Sequence, residues 1–585
     1  MTSTKQVPEV WAPLAKQIEL LANEKREPMT RVPEREGWWR GGIPLPEGVR
    51  YAFFIDGEGP FPDPRSPSQP EGVHGHSCTV DHGQFDWTDA AWTPPEWSRA
   101  VIYELHLGTF SPAGTFTGAI PYLEALVQLG ITHLELMPVC EFPGDRGWGY
   151  DGTSLYAPHH AYGGVAGLKA LINQCHSLGL AVLIDVVYNH LGPDGNYLPK
   201  FGPYFSNSHM TPWGEGPNLD GEHSPEVRRF FIENALMWLR DYHADGLRLD
   251  AIDKIADDSP KHFLAELKES VGQLEIATGK RRVLIAESAS NDPIYVIPIH
   301  RGGYGMDAQW NDDFHHALRT AFTHETENYY MDYGRLEDLA KAFRQGFVYD
   351  GGYSKFRRKN HGTSPIGLPA TTFLAYLQTH DQVGNRAQGD RFHHHHEVSL
   401  IHQQIGAALV LLSPYIPMIF MGEEWAASTP FLYFTNHHDE TLGKTVSEGR
   451  RREFGGSQWA GEVPDPQDRQ TFERTKLKWE ERNESPHREM LDWYRTLLQL
   501  RRTISDFHAG NSSTMEVVAD EHKRWLRIRR GRHWIAASLA AVGSTVEIPL
   551  ASPPAESMLL CAGDHFIKST SLCFDGPGLV LFRSS

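Results

Sequence analysis

Cysteine is scarce in this 585-residue chain. Cys78, Cys140, Cys175, Cys561 and Cys573 are its five, and no two stand at metal-ligand spacing. An odd, scattered set excludes a disulfide scaffold and a thiolate zinc fold, and reads as reduced thiols in a cytoplasmic protein. Long apolar runs are missing too: none reaches the roughly 18 residues that span a bilayer, so no membrane partner is expected. The first residues, Met1-Thr-Ser-Thr-Lys-Gln-Val-Pro8, lack the charged-then-apolar layout of a secretory signal. Positive charge is short, 55 Lys and Arg against 74 Asp and Glu, for a net charge of −19. That excludes a phosphate-binding surface and with it a nucleic-acid partner. Aromatics are plentiful, with 16 Trp and 21 Tyr, and suit a protein that stacks sugar rings, although most such rings serve a core. The run His393–His396 lies on a polar stretch and reads as an exposed loop, so neither a metal nor a cofactor is expected.

At this length two to four domains are required. Residues 1–95 alternate short strand-like runs, Gln17–Leu21 and Arg50–Ile55, with turns such as Gly57–Pro64, and predict an N-terminal β-sandwich. The segment Trp92–Trp97 reads as a linker. Residues 96–495 repeat strand, loop and helix, with strands expected at 101–107, 131–137, 181–187, 245–250, 283–287, 306–310, 372–379 and 416–421. Eight such units predict an α/β fold, a parallel (β/α)8 barrel, with enlarged loops at 191–225 and 351–370. Residues 496–585 return to alternating patterns, as in Trp525–Arg529 and Gly578–Phe582, and predict a C-terminal antiparallel β-sandwich.

Four strand ends carry the chemistry: Asp185-Val-Val-Tyr-Asn-His190, Gly246-Leu-Arg-Leu-Asp250, Leu284-Ile-Ala-Glu287 and Leu377-Gln-Thr-His-Asp381. In each, an apolar run leads directly into charge, the pattern of a buried strand emerging at the active face of a barrel. Splitting an acetal needs one carboxyl to protonate the leaving oxygen and another to attack the cationic carbon. Neighbouring strands would bring Asp250 and Glu287 face to face. Arg248, two residues before Asp250, points to the same side and would keep it ionised as a nucleophile. The apolar approach to Glu287 would hold its proton for general acid work. Asp381 would bind ring hydroxyls.

In this order the four stretches are similar to the four sequence regions of the α-amylase family of glycoside hydrolases. The resemblance implies Asp250 as nucleophile, Glu287 as general acid/base and Asp381 as transition-state stabiliser. It implies His190, Arg248 and His380 as residues around the reacting glucose, with Tyr150 stacked beneath that ring. Tyr103–Phe110 and Glu135–Val139 resemble the group of that family that holds glycogen-branching enzymes and maltooligosyltrehalose trehalohydrolases. Branching enzymes place Glu after the last His-Asp pair. Here Gln382-Val-Gly-Asn385-Arg386 follows, as in the trehalohydrolases, which adds Asn385 and Arg386 to the binding residues. Met421–Phe431 and Pro212–Gly214 also look like that group, and place Trp425 and Trp213 in a pocket beyond the cut.

The resemblance implies retaining hydrolysis of the α-1,4 bond next to the trehalose end of a maltooligosaccharide. The alternatives are a branching or debranching enzyme acting on α-glucan and an inactive α-glucan-binding scaffold. Asp253 and Lys254 replace the Lys and His that many relatives carry past the nucleophile, so contacts to the leaving sugar do not carry over there. Asn189 matches a calcium-binding position of many amylases, and with no other ligand visible a hydrogen-bonding role is expected for it.

Overall fold

The computed structural model describes residues 6–455, 463–510, 515–550 and 558–583. Its centre is a closed barrel of eight parallel strands: β1 (Ile102–Leu105), β2 (His133–Leu136), β3 (Ala181–Val186), β4 (Gly246–Leu249), β5 (Val283–Ala286), β6 (Ala308–Trp310), β7 (Phe373–Tyr376) and β8 (Ile416–Phe420). All eight fall on the expected segments. Every residue of these strands is buried, because helices cover the outside and side chains fill the inside. Sequence neighbours pair in parallel, and β8 closes on β1 through Met418 opposite Ile102. Parallel register therefore delivers residues that follow different strands to one face, as when Asp185 stands opposite Arg248.

The helices show why periodicity was a sufficient signal. Ser224–Arg240 starts with Pro225 in its first turn and buries Val227, Phe230, Phe231, Met237 and Trp238. Asp312–Thr323 is capped by the Asn311 side chain accepting from the Phe314 amide, and carries Asp312 and Asp313 in its positive first turn.

Two small antiparallel sheets precede the barrel. One pairs Glu9–Trp11 and Thr30–Arg31 with Trp38–Arg40, and the other orders Lys25–Pro28, Ile18–Ala22, Arg50–Ile55 and Glu58–Phe61. The last strand corrects the expectation of a turn over 57–64. Asp56 and Gly57 both have positive φ, 50° and 90°, and join Ile55 directly to Glu58. This is the two-residue Asp-Gly hairpin, which lets the chain turn back at once. These sheets pack on the insertion after β3, with Trp11 against Tyr204 and Phe53 against Phe201.

That insertion carries its own hairpin, Phe205–Thr211 with Gly214–Pro217. The expected linker is pinned at both ends: the Trp92 indole stacks on His176 at 4.5 Å, and Trp97 is buried. After the barrel, a five-stranded and a three-stranded antiparallel sheet enclose Trp525, Trp534, Ile548 and Phe574. The expected division at 495–496 falls inside helix His487–Thr503, whose inner face packs on the barrel, so we start the C-terminal module after that helix. Among the described residues no helix is long and apolar enough to cross a membrane.

Candidate active site

Strand geometry brings the four stretches to one point. Asp250 and Glu287 are the first residues past β4 and β5, and the chain there is locked crosswise: the Ile252 amide donates to the Glu287 carbonyl and the Glu287 amide to that of Leu249. Between the two acids lies Arg248, fully buried. Its Nη1 donates to Asp250 Oδ1 at 2.8 Å and to both oxygens of Asp185, while Nη2 stands 3.6 Å from Glu287 Oε2. The guanidinium is stacked over Trp310 at 4.3 Å, which fixes its plane. Asn189 donates to Asp250 Oδ2 at 2.8 Å and to the Asp250 carbonyl, the hydrogen-bonding role expected of it. Both oxygens of Asp250 are thus held.

Glu287 is treated differently. Burial first, and the negative charges of Asp250 and Asp381 next, push its carboxyl well above the usual range against the opposing pull of Arg248. Its Oε2 accepts from the Ala251 amide, and Ala251 sits at φ 37°, in the left-handed region that costs an alanine strain. One carboxyl held by a cation and its neighbour holding a proton is the division of labour that acid–base chemistry on an acetal requires.

On the opposite side, the Thr379 hydroxyl accepts from the Asp381 amide and opens a short helix, His380–Gly384. Within it Asp381 is partly exposed, and Asn385 donates to its Oδ1 at 3.2 Å. His380 is buried, its Nδ1 bonded to Glu104 at the end of β1. Burial would lower its pKa, but Glu104 and Asp381 outweigh it and raise it to about 9. A protonated His380 donates from Nε2 to Tyr150 (2.9 Å), and Tyr150 donates to Asp185 (2.6 Å), so the tyrosine ring is fixed beside Arg248. The buried ring of His190 stacks under the exposed Trp213 at 4.9 Å, which makes the hairpin tip after β3 a wall of the cleft.

Two expected binding residues do not reach the cleft. Trp425 is 1% exposed and packs on Trp479 at 5.0 Å, because the turn after β8 lies against helix His487–Thr503, whose His487 ring bonds the Trp425 carbonyl. Phe431 and Phe434 are fully buried as well, so most of the expected aromatic pocket after β8 is core. Arg386 is buried against Glu325 at 2.8 Å and Asp390 at 2.6 Å, and its charge serves that network. An apolar or charged loop next to a motif looks the same in sequence whether it faces the cleft or the core.

Other residues were missed. Asp185 was quoted without a role, yet it receives both Arg248 and Tyr150, and burial raises its pKa to about 6. Asp312, two residues past β6, accepts from Tyr376 Oη at 2.8 Å and Gln382 Nε2 at 3.1 Å. Burial, then repulsion from Asp381, lifts it to about 6. The available signal was an acid just beyond a strand end, as in the other four stretches. Among the described residues three groups of histidines and carboxylates come close enough to hold a cation, and none includes Asp250, Glu287 or Asp381.

Residues 75–208 match the family model for the α-amylase catalytic domain. The malto-oligosyltrehalose trehalohydrolase of Mycobacterium tuberculosis is 46% identical over 92% of this chain and 93% of its own. That of Arthrobacter ramosus is 43% identical over 98% and 99%. A crystal structure from Salmonella typhimurium, provisionally named an alpha amylase, is 35% identical, superposes with a TM-score of 0.90 and covers both chains completely. The chain belongs to the malto-oligosyltrehalose trehalohydrolases, within the α-amylase family of glycoside hydrolases.

Proposed function

We propose that this protein hydrolyses, with retention, the α-1,4 bond beside the terminal trehalose of maltooligosyltrehalose, releasing trehalose and a maltooligosaccharide. The observation that carries this reading is the single buried guanidinium of Arg248, 2.8 Å from Asp250 and 3.6 Å from Glu287. It binds one acid directly while the burial of its neighbour Glu287 keeps that carboxyl's pKa high, and such proximity suits a retaining pair, about 5–5.5 Å apart.

In the first step an Asp250 oxygen attacks the anomeric carbon as the bond to the trehalose oxygen breaks, and Glu287 gives that oxygen its proton. Trehalose leaves and the maltooligosaccharide stays as an ester on Asp250. Glu287, now a carboxylate, takes a proton from water, whose oxygen attacks the same carbon and restores Asp250. Asp381 and Asn385 bind ring hydroxyls as the sugar flattens, with Tyr150 and the ring of His380 as the floor. The minus-side glucoses of maltodextrin and of the capped substrate are identical, so selection must come from beyond the cut, where we place Trp213.

Five cysteines without a disulfide between them support a reducing, cytoplasmic setting. The test compares maltopentaose with a trehalose-capped maltooligosaccharide of equal length, separating the products by chromatography. Preferential cleavage of the capped substrate, with trehalose as product, is expected; equal cleavage of the two rejects the specificity.

A further inference from the structure

Away from the three acids, His74, Asp194 and His438 meet where the N-terminal strands, the insertion after β3 and the loop after β8 converge. Asp194 is buried and its carboxylate stands at the centre. Oδ1 lies 2.8 Å from His74 Nε2; Oδ2 lies 3.5 Å from His438 Nδ1 and accepts from the His438 amide at 2.6 Å. Burial pushes this carboxyl up, but the His438 amide and the His74 ring outweigh it, so it stays below its ordinary range and charged.

His74 is oriented from behind. Its Nδ1 is 2.8 Å from the Tyr197 hydroxyl and accepts from it, while Nε2–H donates to Asp194; a cation bound at Nε2 would take the place of that proton. The two imidazoles are close to half exposed and cross at 72° with centroids 5.0 Å apart, so they flank the carboxylate and leave a path from solvent.

We propose that His74, Asp194 and His438 form a binding site for a divalent transition cation of the zinc class. Two imidazoles and one carboxylate suit such an ion better than calcium or magnesium, which take oxygen ligands. At bond lengths of about 2.0–2.2 Å, tetrahedral ligand atoms lie roughly 3.3 Å apart. One ligand atom from each of the three residues lies within 4.8 Å of the others, so the half-exposed imidazoles need to draw in toward the carboxylate to close on the ion. A fourth position stays open for water.

A cation here would reinforce the junction that Asp194 already makes with His74 and His438, and so staple the three segments together. One edge of it borders the cleft: His437, next to His438, lies 3.9 Å from Asp151, which follows Tyr150.

The experiment titrates zinc chloride into chelator-treated, full-length protein by calorimetry, with bound zinc counted after dialysis. His74→Ala and His438→Ala are compared with the wild type, and His394→Asn/His396→Asn serves as control for the two exposed histidines of the run 393–396, whose other two are largely buried. The site predicts one equivalent that the control keeps and that each single alanine variant loses or binds at least tenfold more weakly. It also predicts a zinc-dependent rise in Tm in the wild type that both alanine variants lack, each variant being compared with its own metal-free Tm. Equal zinc binding in wild type and alanine variants, no binding at all, or loss only in the control overturns the proposal.

Discussion

At the scale of single residues the proposed mechanism depends on Glu287 keeping its proton next to an Asp250 that Arg248 binds. Asp250→Asn removes the proposed nucleophile while leaving an oxygen for Arg248, so turnover should vanish with the fold intact, as checked by assay and circular dichroism. Glu287→Gln should lower kcat by about 10²–10⁴-fold, the usual worth of a general acid. Because Glu287 as the proposed general acid must be protonated to act, activity should fall as pH rises through its elevated pKa. Asp312 is one of the negative charges that raise it. Asp312→Asn should therefore lower the pKa of Glu287 and move the alkaline limb of the kcat/KM profile to lower pH. A limb that stays in place or moves upward would show that Asp312 is electrostatically remote from the acid.

At the scale of elements, the helix and hairpins behind the acids are as specific as the acids themselves. Gly384 ends the short helix that begins at His380, and a Cβ there would lie 2.1 Å from the buried Trp148 ring, which has no room to retreat. Gly384→Ala should cost about 1–3 kcal/mol or more as overpacking, read as a fall in Tm, and should shift Asp381 enough to reduce kcat. On the other wall, Trp213 projects from a hairpin with its ring half exposed. Trp213→Ala should raise KM for the trehalose-capped substrate roughly tenfold, about 1.4 kcal/mol. Cleavage of plain maltooligosaccharide should change less. Equal loss on both substrates would take Trp213 out of the discrimination.

At the scale of the whole molecule, burial of carboxyls outside the cleft ties stability to pH. Glu423 and Glu424, just past β8, each accept from a tyrosine hydroxyl, and burial raises them to about 8 and about 7 from an ordinary value of 4.5. A carboxyl whose folded pKa is raised contributes stability that is complete below its unfolded pKa and is lost as pH climbs through the folded one. Glu424→Gln keeps an oxygen for Tyr103 and cannot ionise. The Tm of the variant relative to the wild type should therefore rise between pH 4.5 and about 7. Carboxylates held low, such as Glu325 at about 2, lose their contribution only on the acid side and leave this window clear.

Much of this molecule is local in sequence. Barrel strands buried on both sides read as apolar runs, and period alone places them, which is why all eight β-segments and the acids at their ends were legible. Asp250, Glu287 and Arg248 were legible for the same reason: the residue after a parallel strand has only one face to go to. The Asp56-Gly57 hairpin was also written in the chain and was passed over.

What no window of sequence contains is which side of a loop faces inward. Trp425 and Arg386 sit beside the motif and fold away from it, while Asp312 and Asp185 converge on it from other strands. Likewise His74, Asp194 and His438 lie far apart in the chain and meet only once the sheets dock on the barrel. Strand identity follows from short-range burial patterns, so the sequence by itself determined the frame and the acids at its strand ends. Which side chains line the cleft depends on contacts between distant segments, and only the tertiary structure decided those.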